Sequence, residues 1–302
     1  MIRTYHWVVV VSLLLGAGLV GCKEVDYFTN ERIAQNERDI QAYLAQQGIS
    51  AQRGTDGLYY RIVSKGGTQQ TAEVGNQLKV HYIISRLDGF IVDSSRISTY
   101  EPTSVIYGVE RIPFLSDRAM LIAFSSLLQE GDSATLFVPH NLGLGVSGTL
   151  MFPAYSVAKV DLKVASINTE AEQMDIFTRT TGVVTQETTE SGLRFGKLVS
   201  RPDSAQVEGN STYEVRYLGR LTNGTQFDAG TFEAIPAPGA GRPVSGFIEG
   251  MLKMRIGEKA HFLFPSVLGY GTQGQPATAA GRVGIPPYAP LFFEVEILRK
   301  VK

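Results

Sequence analysis

Apolar and polar residues alternate through Leu78-Lys79-Val80-His81-Tyr82 and again through Tyr213-Glu214-Val215-Arg216-Tyr217. A period of two puts every second side chain on one face and predicts two half-buried antiparallel strands. Asp88-Gly89 and Asn223-Gly224 follow these stretches as hairpin turns, because both residue types in each pair accept positive φ. A different period marks Asn30 to Gln47, where Ile33, Ile40, Tyr43 and Leu44 recur at helical spacing among charged and amide residues before Gly48. This predicts an amphipathic helix whose apolar stripe docks on the following domain or, less simply, pairs with a second copy. Short helices are expected from Met120 to Leu128 and from Phe247 to Met254, and the polar stretch from Thr169 to Thr189, which begins with a Glu-rich helical pattern and ends in a Thr-rich run, reads as a linker.

The pattern repeats along the chain. Gly57-Leu58-Tyr59-Tyr60-Arg61-Ile62-Val63-Ser64 returns as Gly192-Leu193-Arg194-Phe195-Gly196-Lys197-Leu198-Val199-Ser200. Val80-His81-Tyr82 returns as Val215-Arg216-Tyr217, and the stretch ending Val92-Asp93 as that ending Phe227-Asp228, at an offset of roughly 135. Gly131-Asp132 then matches Gly257-Glu258 at an offset of roughly 126. A constant order with one change of spacing is what two copies of one domain with a loop-length difference would give.

The chain has 302 residues, 43% of them hydrophobic and 19% charged, enough apolar side chain for two ordinary cores. With 28 basic and 29 acidic residues it offers no broad positive field for phosphates, so a nucleic-acid partner is disfavoured. Cys22 is the single cysteine, which excludes an intrachain disulfide and a thiolate-rich metal site. Arg3, an apolar stretch and Leu19-Val20-Gly21-Cys22 read as an export leader, and the last four residues resemble a bacterial lipobox. The resemblance implies cleavage before Cys22, acylation of its thiol and membrane attachment through that lipid. Lys23-Glu24 in place of an aspartate points to the outer membrane, with the membrane face left open.

Six stretches of the second copy stand in a specific order. They are Val215 to Gly219, Gly224 to Asp228, Gly246 to Met251, Leu268-Gly269-Tyr270-Gly271, Ile285-Pro286-Pro287 and Leu291 to Leu298. Over about 110 residues this set resembles the FK506-binding-protein type of peptidyl-prolyl cis-trans isomerase. The resemblance implies an α+β fold, a half-barrel antiparallel sheet wrapped over a short helix in each copy, with an apolar pocket between them. It implies that Tyr217, Asp228 and Tyr270 serve catalysis and that Phe227, Val244, Phe247, Ile285 and Phe293 bind substrate. It also implies proline-containing, partly folded polypeptides as partners, macrolide inhibitors as further ligands, and no cofactor or metal. Phe247 stands where many relatives carry tryptophan, no aromatic residue lies between Ala234 and Pro238, and Gln275 has no assigned role.

In the first copy Tyr82 and Asp93 persist, but Val92 replaces the phenylalanine, Leu144 stands for Tyr270, and Ala158 falls near the place of Phe293. Pro113-Phe114-Leu115 aligns poorly with Gly246-Phe247. The expected layout is a leader over 1–21, a lipid-anchored spacer and helix over 22–50, a degenerate domain over 51–168, a linker over 169–189 and an isomerase domain over 190–302. His6, His81, His140 and His261 lack metal-ligand spacing, and no phosphate loop or hydrolase elbow is present. Two functions stay open at this level: an isomerase of exported proteins, or a non-catalytic chaperone or scaffold that binds extended chains in the cell envelope.

Overall fold

The computed structural model describes residues 21–96, 98–145, 147–237, 239, 243–278 and 283–302, without the side chains of 21–28 and 55. Residues 1–20 of the leader expected over 1–21 lie outside the described residues, and Gly21 and Cys22 are placed by their backbone only. The described residues begin with helix α1 (Gly21–Gln47). Next come strands β1 (Gln52–Arg53), β2 (Tyr59–Ser64), β3 (Gln77–Arg86), β4 (Ile91–Ser94) and β5 (Thr103–Ile106). Helix α2 (Asp117–Leu121) continues into a π-helical turn, Ile122–Leu127, before β6 (Ser133–Val138) and β7 (Ala158–Asn168). Helix α3 (Glu170–Thr181) leads to β8 (Glu187–Thr188), β9 (Arg194–Val199), β10 (Tyr213–Leu221) and β11 (Gln226–Ala234). Helix α4 (Ser245–Leu252), β12 (Lys259–Phe264) and β13 (Leu291–Lys300) complete the chain.

All strands pair antiparallel, in two sheets of the same order. The first runs β1-β2-β6-β7-β3-β4, with β5 also on β3; the second runs β8-β9-β12-β13-β10-β11. The two outer pieces β4 and β5 take the place of the continuous β11. This is an α+β fold of antiparallel sheets with an N-terminal helix. Alternation works as expected: Tyr213, Val215, Phe262, Phe264, Phe293 and Val295 turn inward onto Phe247 and Met251 of α4. In the first sheet Leu78, Val80, Leu136 and Val160 pack with Ala119, Met120 and Phe124. Each such side chain removed from water contributes about 1.5–3 kcal/mol before the entropy cost of ordering it.

Helix α1 docks on the first sheet. Ile40 and Leu44 pack with Tyr59, Phe137 and Val157, Tyr43 closes the edge, and Ile33 is half-buried. Asn36 is also buried in this seam: its amide N–H donates to the Tyr155 carbonyl at 2.8 Å, and its oxygen accepts from the His140 backbone N–H at 2.8 Å.

Three local readings change. In both hairpins only the glycine, Gly89 or Gly224, takes positive φ, at 89° in each. The Asp88 and Asn223 carboxyl or amide oxygens instead accept the backbone N–H two residues on, an Asx turn. The helix of the first domain starts at Asp117, capped by Ser116, whose hydroxyl accepts from the Ala119 N–H. The stretch expected as a linker begins with the expected helix and is packed along its length: Thr169 and Glu172 form a reciprocal capping box on α3, and Gly182 ends it in the left-handed region at φ 71°. Met174 and Phe177 of α3 then pack on Leu263 and Phe292, the outward residues of β12 and β13. His261 Nε2 lies 2.6 Å from the Val184 carbonyl, and β8 pairs with β9. The segment therefore connects the two sheets and covers the second.

Candidate functional site

The second domain encloses a cavity of about 470 Å³ between the inner face of its sheet and α4. Tyr217, Phe227, Asp228, Val244, Phe247, Tyr270 and Phe293 line it, together with Phe232, Pro243 and Gln275.

A β-bulge explains how the consecutive residues Phe227 and Asp228 come to share the cavity. Gly219 pairs with Asp228 and Arg220 with Gln226, leaving Phe227 as the extra residue of β11. A bulge re-aims one side chain against the regular alternation. The strand then resumes its period, so Phe232, four residues after Asp228, lies on the same face. Gly219 is the counterpart of that bulge. A Cβ there would stand 2.6 Å from the Phe227 ring and 2.9 Å from the Phe293 ring, so the two rings occupy the space a side chain would need.

Phe247 forms the floor. Its ring meets Phe293 at 5.2 Å and 90°, Phe262 at 5.7 Å and 85°, and Tyr217 at 6.2 Å and 87°. These edge-to-face contacts fix an apolar aromatic box. Helix α4 can approach closely because Gly246 and Gly250 face Phe264 and Phe262, where a Cβ would meet either ring at 2.6 Å. Phe232 supplies the aromatic wall that no residue between Ala234 and Pro238 provides: it packs on Tyr217 at 5.2 Å and 81°, and on Phe247 at 5.9 Å. Its position in the strand, paired with Val215, was not legible without the bulge.

Tyr270 follows the single helical turn Ser266–Leu268. The Ser266 carbonyl accepts from the Gly269 and Gly271 N–H groups at 2.8 Å each, one on either side of Tyr270. Asp228 is half-buried at the rim, and its carboxylate accepts from the Ala229 N–H at 3.0 Å. Ile285 departs from expectation: it is buried in the core cluster and is not among the residues lining the cavity. Its backbone exchanges two 2.7 Å hydrogen bonds with Gln275, and that pairing brings Gln275 to the rim.

A scan against family models matches residues 203–298 to the FKBP-type peptidyl-prolyl cis-trans isomerase family. Among curated proteins, the peptidyl-prolyl cis-trans isomerase FKBP15-2 of Arabidopsis thaliana is 33% identical over 127 residues, 40% of this chain and 70% of that protein. FK506-binding protein 1 of Candida glabrata is 31% identical over 116 residues, 37% of this chain and 96% of its own length. The chain belongs to the FKBP-type peptidyl-prolyl cis-trans isomerases. The FKBP-type 22 kDa peptidyl-prolyl cis-trans isomerase of Escherichia coli is 36% identical over 112 residues, 36% of this chain and 50% of that protein. The stretch matched by the FKBP-type family model runs from the residues before β10 to Leu298 within β13 and contains every residue of the aromatic cavity.

Proposed function

We propose that the second domain catalyses cis-trans isomerisation of X-Pro bonds in extended or partly folded polypeptides, within the cavity floored by Phe247. The observation that carries this reading is the aromatic box itself, closed on one rim by Tyr270 and on another by Asp228. An X-Pro bond prefers trans by only about 0.5–1 kcal/mol, but the planar amide must twist through a barrier of about 18–20 kcal/mol. The twisted amide has lost resonance and is less polar than the planar one, so a dry aromatic site favours it over the form that water solvates well. Phe227, Phe247 and Phe293 hold the proline ring, with Val244 beside them. The Tyr270 phenol donates to the peptide carbonyl, and Tyr217 with Asp228 forms a polar wall that orients the chain. Asp228 acts as an electrostatic and hydrogen-bonding group, since no proton leaves the substrate in this reaction. Macrolide inhibitors fit the same box.

The lipobox-like Leu19-Val20-Gly21-Cys22 supports a placement in the cell envelope, attached through lipid on Cys22 and sorted by Lys23-Glu24 to the outer membrane. Proline-containing exported proteins are then the clients. For the first domain we infer a non-catalytic scaffold role, supported by the loss of its pocket aromatics.

The test is a protease-coupled isomerisation assay on the intact chain with several X-Pro peptides. Tyr270→Leu and Asp228→Leu should each lower kcat/KM by about tenfold or more. Wild-type rates at background on every peptide would abandon catalysis for the chaperone reading.

A further inference from the structure

Helix α3 makes polar contact with the isomerase domain at two places: Asp175 and the Ala171 carbonyl accept from Arg194 of β9, and Glu170, in the first turn, meets Ser266. The Glu170 carboxylate accepts from the Ser266 backbone N–H at 2.6 Å and from the Ser266 hydroxyl at 2.7 Å. Ser266 is buried, and its carbonyl receives the N–H groups that bracket Tyr270. One residue thus links Glu170 to the Tyr270 loop through two successive pairs of hydrogen bonds, the first of them charge-assisted and correspondingly strong. Glu170 is itself held in place. Met174 and Phe177, four and seven residues on along the same helical face, are buried on Leu263 and Phe292. The same loop is held on its other side: the Tyr288 N–H donates to the Gly271 carbonyl at 2.9 Å, and the Tyr288 ring covers Gly75 of the first domain, where a Cβ would stand 2.6 Å away.

We propose that Glu170 is a positioning residue for the isomerase reaction, setting the place of the Tyr270 phenol through Ser266. The inference rests on the reading of Tyr270 as the carbonyl donor. Its consequence is that activity depends on a residue 20 positions before the isomerase domain expected over 190–302, in the segment that joins it to the first domain.

The experiment compares Glu170→Ala, Glu170→Gln, Glu172→Ala and Tyr270→Leu in the full chain. Glu172→Ala weakens the α3 cap without touching Ser266, so it controls for helix stability. The measurements are kcat and KM on an X-Pro peptide, thermal unfolding, and hydrogen exchange across 266–271. Glu170→Ala should lower kcat about tenfold, as a small misplacement of a reacting group does, with KM changed less than about twofold because the aromatic box is untouched. Exchange at Gly269 and Gly271 should quicken. Glu170→Gln should recover part of kcat, since its amide oxygen still accepts one bond. Glu172→Ala should lower the melting temperature yet leave kcat near wild type. Equal loss of kcat in Glu170→Ala and Glu172→Ala, or unchanged exchange at 266–271, overturns the proposal. If Tyr270→Leu loses activity while Glu170→Ala keeps it, the positioning role alone falls; a wild-type chain with no rate above background overturns the isomerase reading as well.

Discussion

The two domains share a strand order, a bulge and a buried carboxylate, and differ in what fills the space under the bulge. In the first domain Ile84 pairs with Asp93 and Ser85 with Ile91, so Val92 is the extra residue, as Phe227 is in the second. At the positions of Tyr217 and Asp228 the first domain has Tyr82 and Asp93, and the Tyr82 hydroxyl donates to Asp93 at 3.2 Å. Around that pair the register equates Ile84 with Gly219, Thr103 with Phe232 and Val160 with Phe293. Val160 takes that place where sequence alignment pointed to Ala158. Ile84 is fully buried, so a side chain sits where the second domain leaves room for two rings. The small pair Ala119 and Ala123 repeats the spacing of Gly246 and Gly250, which sets Met120 in the place of Phe247. The same bulge therefore sits over a box in one domain and over a core in the other: a glycine leaves room for large rings, and a branched side chain with smaller neighbours fills that room.

The comparison can be broken most severely from the first domain. Ile84→Ala should leave a cavity in a packed core and destabilise that domain by about 2–5 kcal/mol, read as a lower first transition in denaturant unfolding of the intact chain. The reciprocal Gly219→Ile should overpack the Phe227 and Phe293 rings, costing about 1–3 kcal/mol and lowering kcat/KM by about a hundredfold in the coupled assay. Phe232→Thr gives the second domain the residue of the first at the cavity wall. It should raise KM about tenfold with little change in melting temperature, which would separate wall from core. Gln173 of α3 is buried and its Nε2 has no hydrogen-bond partner among the described residues. Gln173→Met should stabilise the chain by about 1 kcal/mol, seen as a melting temperature a few degrees higher.

Acid should distinguish the domains least. Asp132 and Glu258 are both buried; desolvation raises their pKa, but donors outweigh it and hold each below its ordinary value, 3.8 and 4.5. For Asp132 these are the Gly66 and Gln129 N–H groups and the Lys65 ammonium; for Glu258, the Arg201 and Arg255 N–H groups and Lys197. A lowered folded pKa means that each stabilises fully above its unfolded value and is lost as pH falls through the folded one. Protection factors for hydrogen exchange, corrected for the intrinsic rate at each pH, should therefore fall together in β6 and β12 below about pH 4. Glu258→Gln should flatten the dependence in β12 alone; an unchanged profile there would refute the shared role.

Much of the second domain is legible in its sequence. Alternation in Tyr213-Glu214-Val215-Arg216-Tyr217 set the inward face, the Asn223-Gly224 pair set a turn, and the order of the aromatic motifs pointed to one pocket. These are local properties: a strand's period and a turn's φ are decided within a few residues. The unbroken apolar runs Phe262-Leu263-Phe264 and Leu291-Phe292-Phe293 also held a signal, since a sheet open to water on one face would place polar residues at Leu263 and Phe292. Only the tertiary structure decided the rest. The bulge at Phe227 shifts one residue against its partner strand, so the face shared by Asp228 and Phe232 depends on pairing with β10. Ile285 sits in the core because its backbone pairs with Gln275. Glu170 reaches Ser266 across 96 positions, a contact that no spacing along the chain announces, because it depends on where two packed elements come to rest.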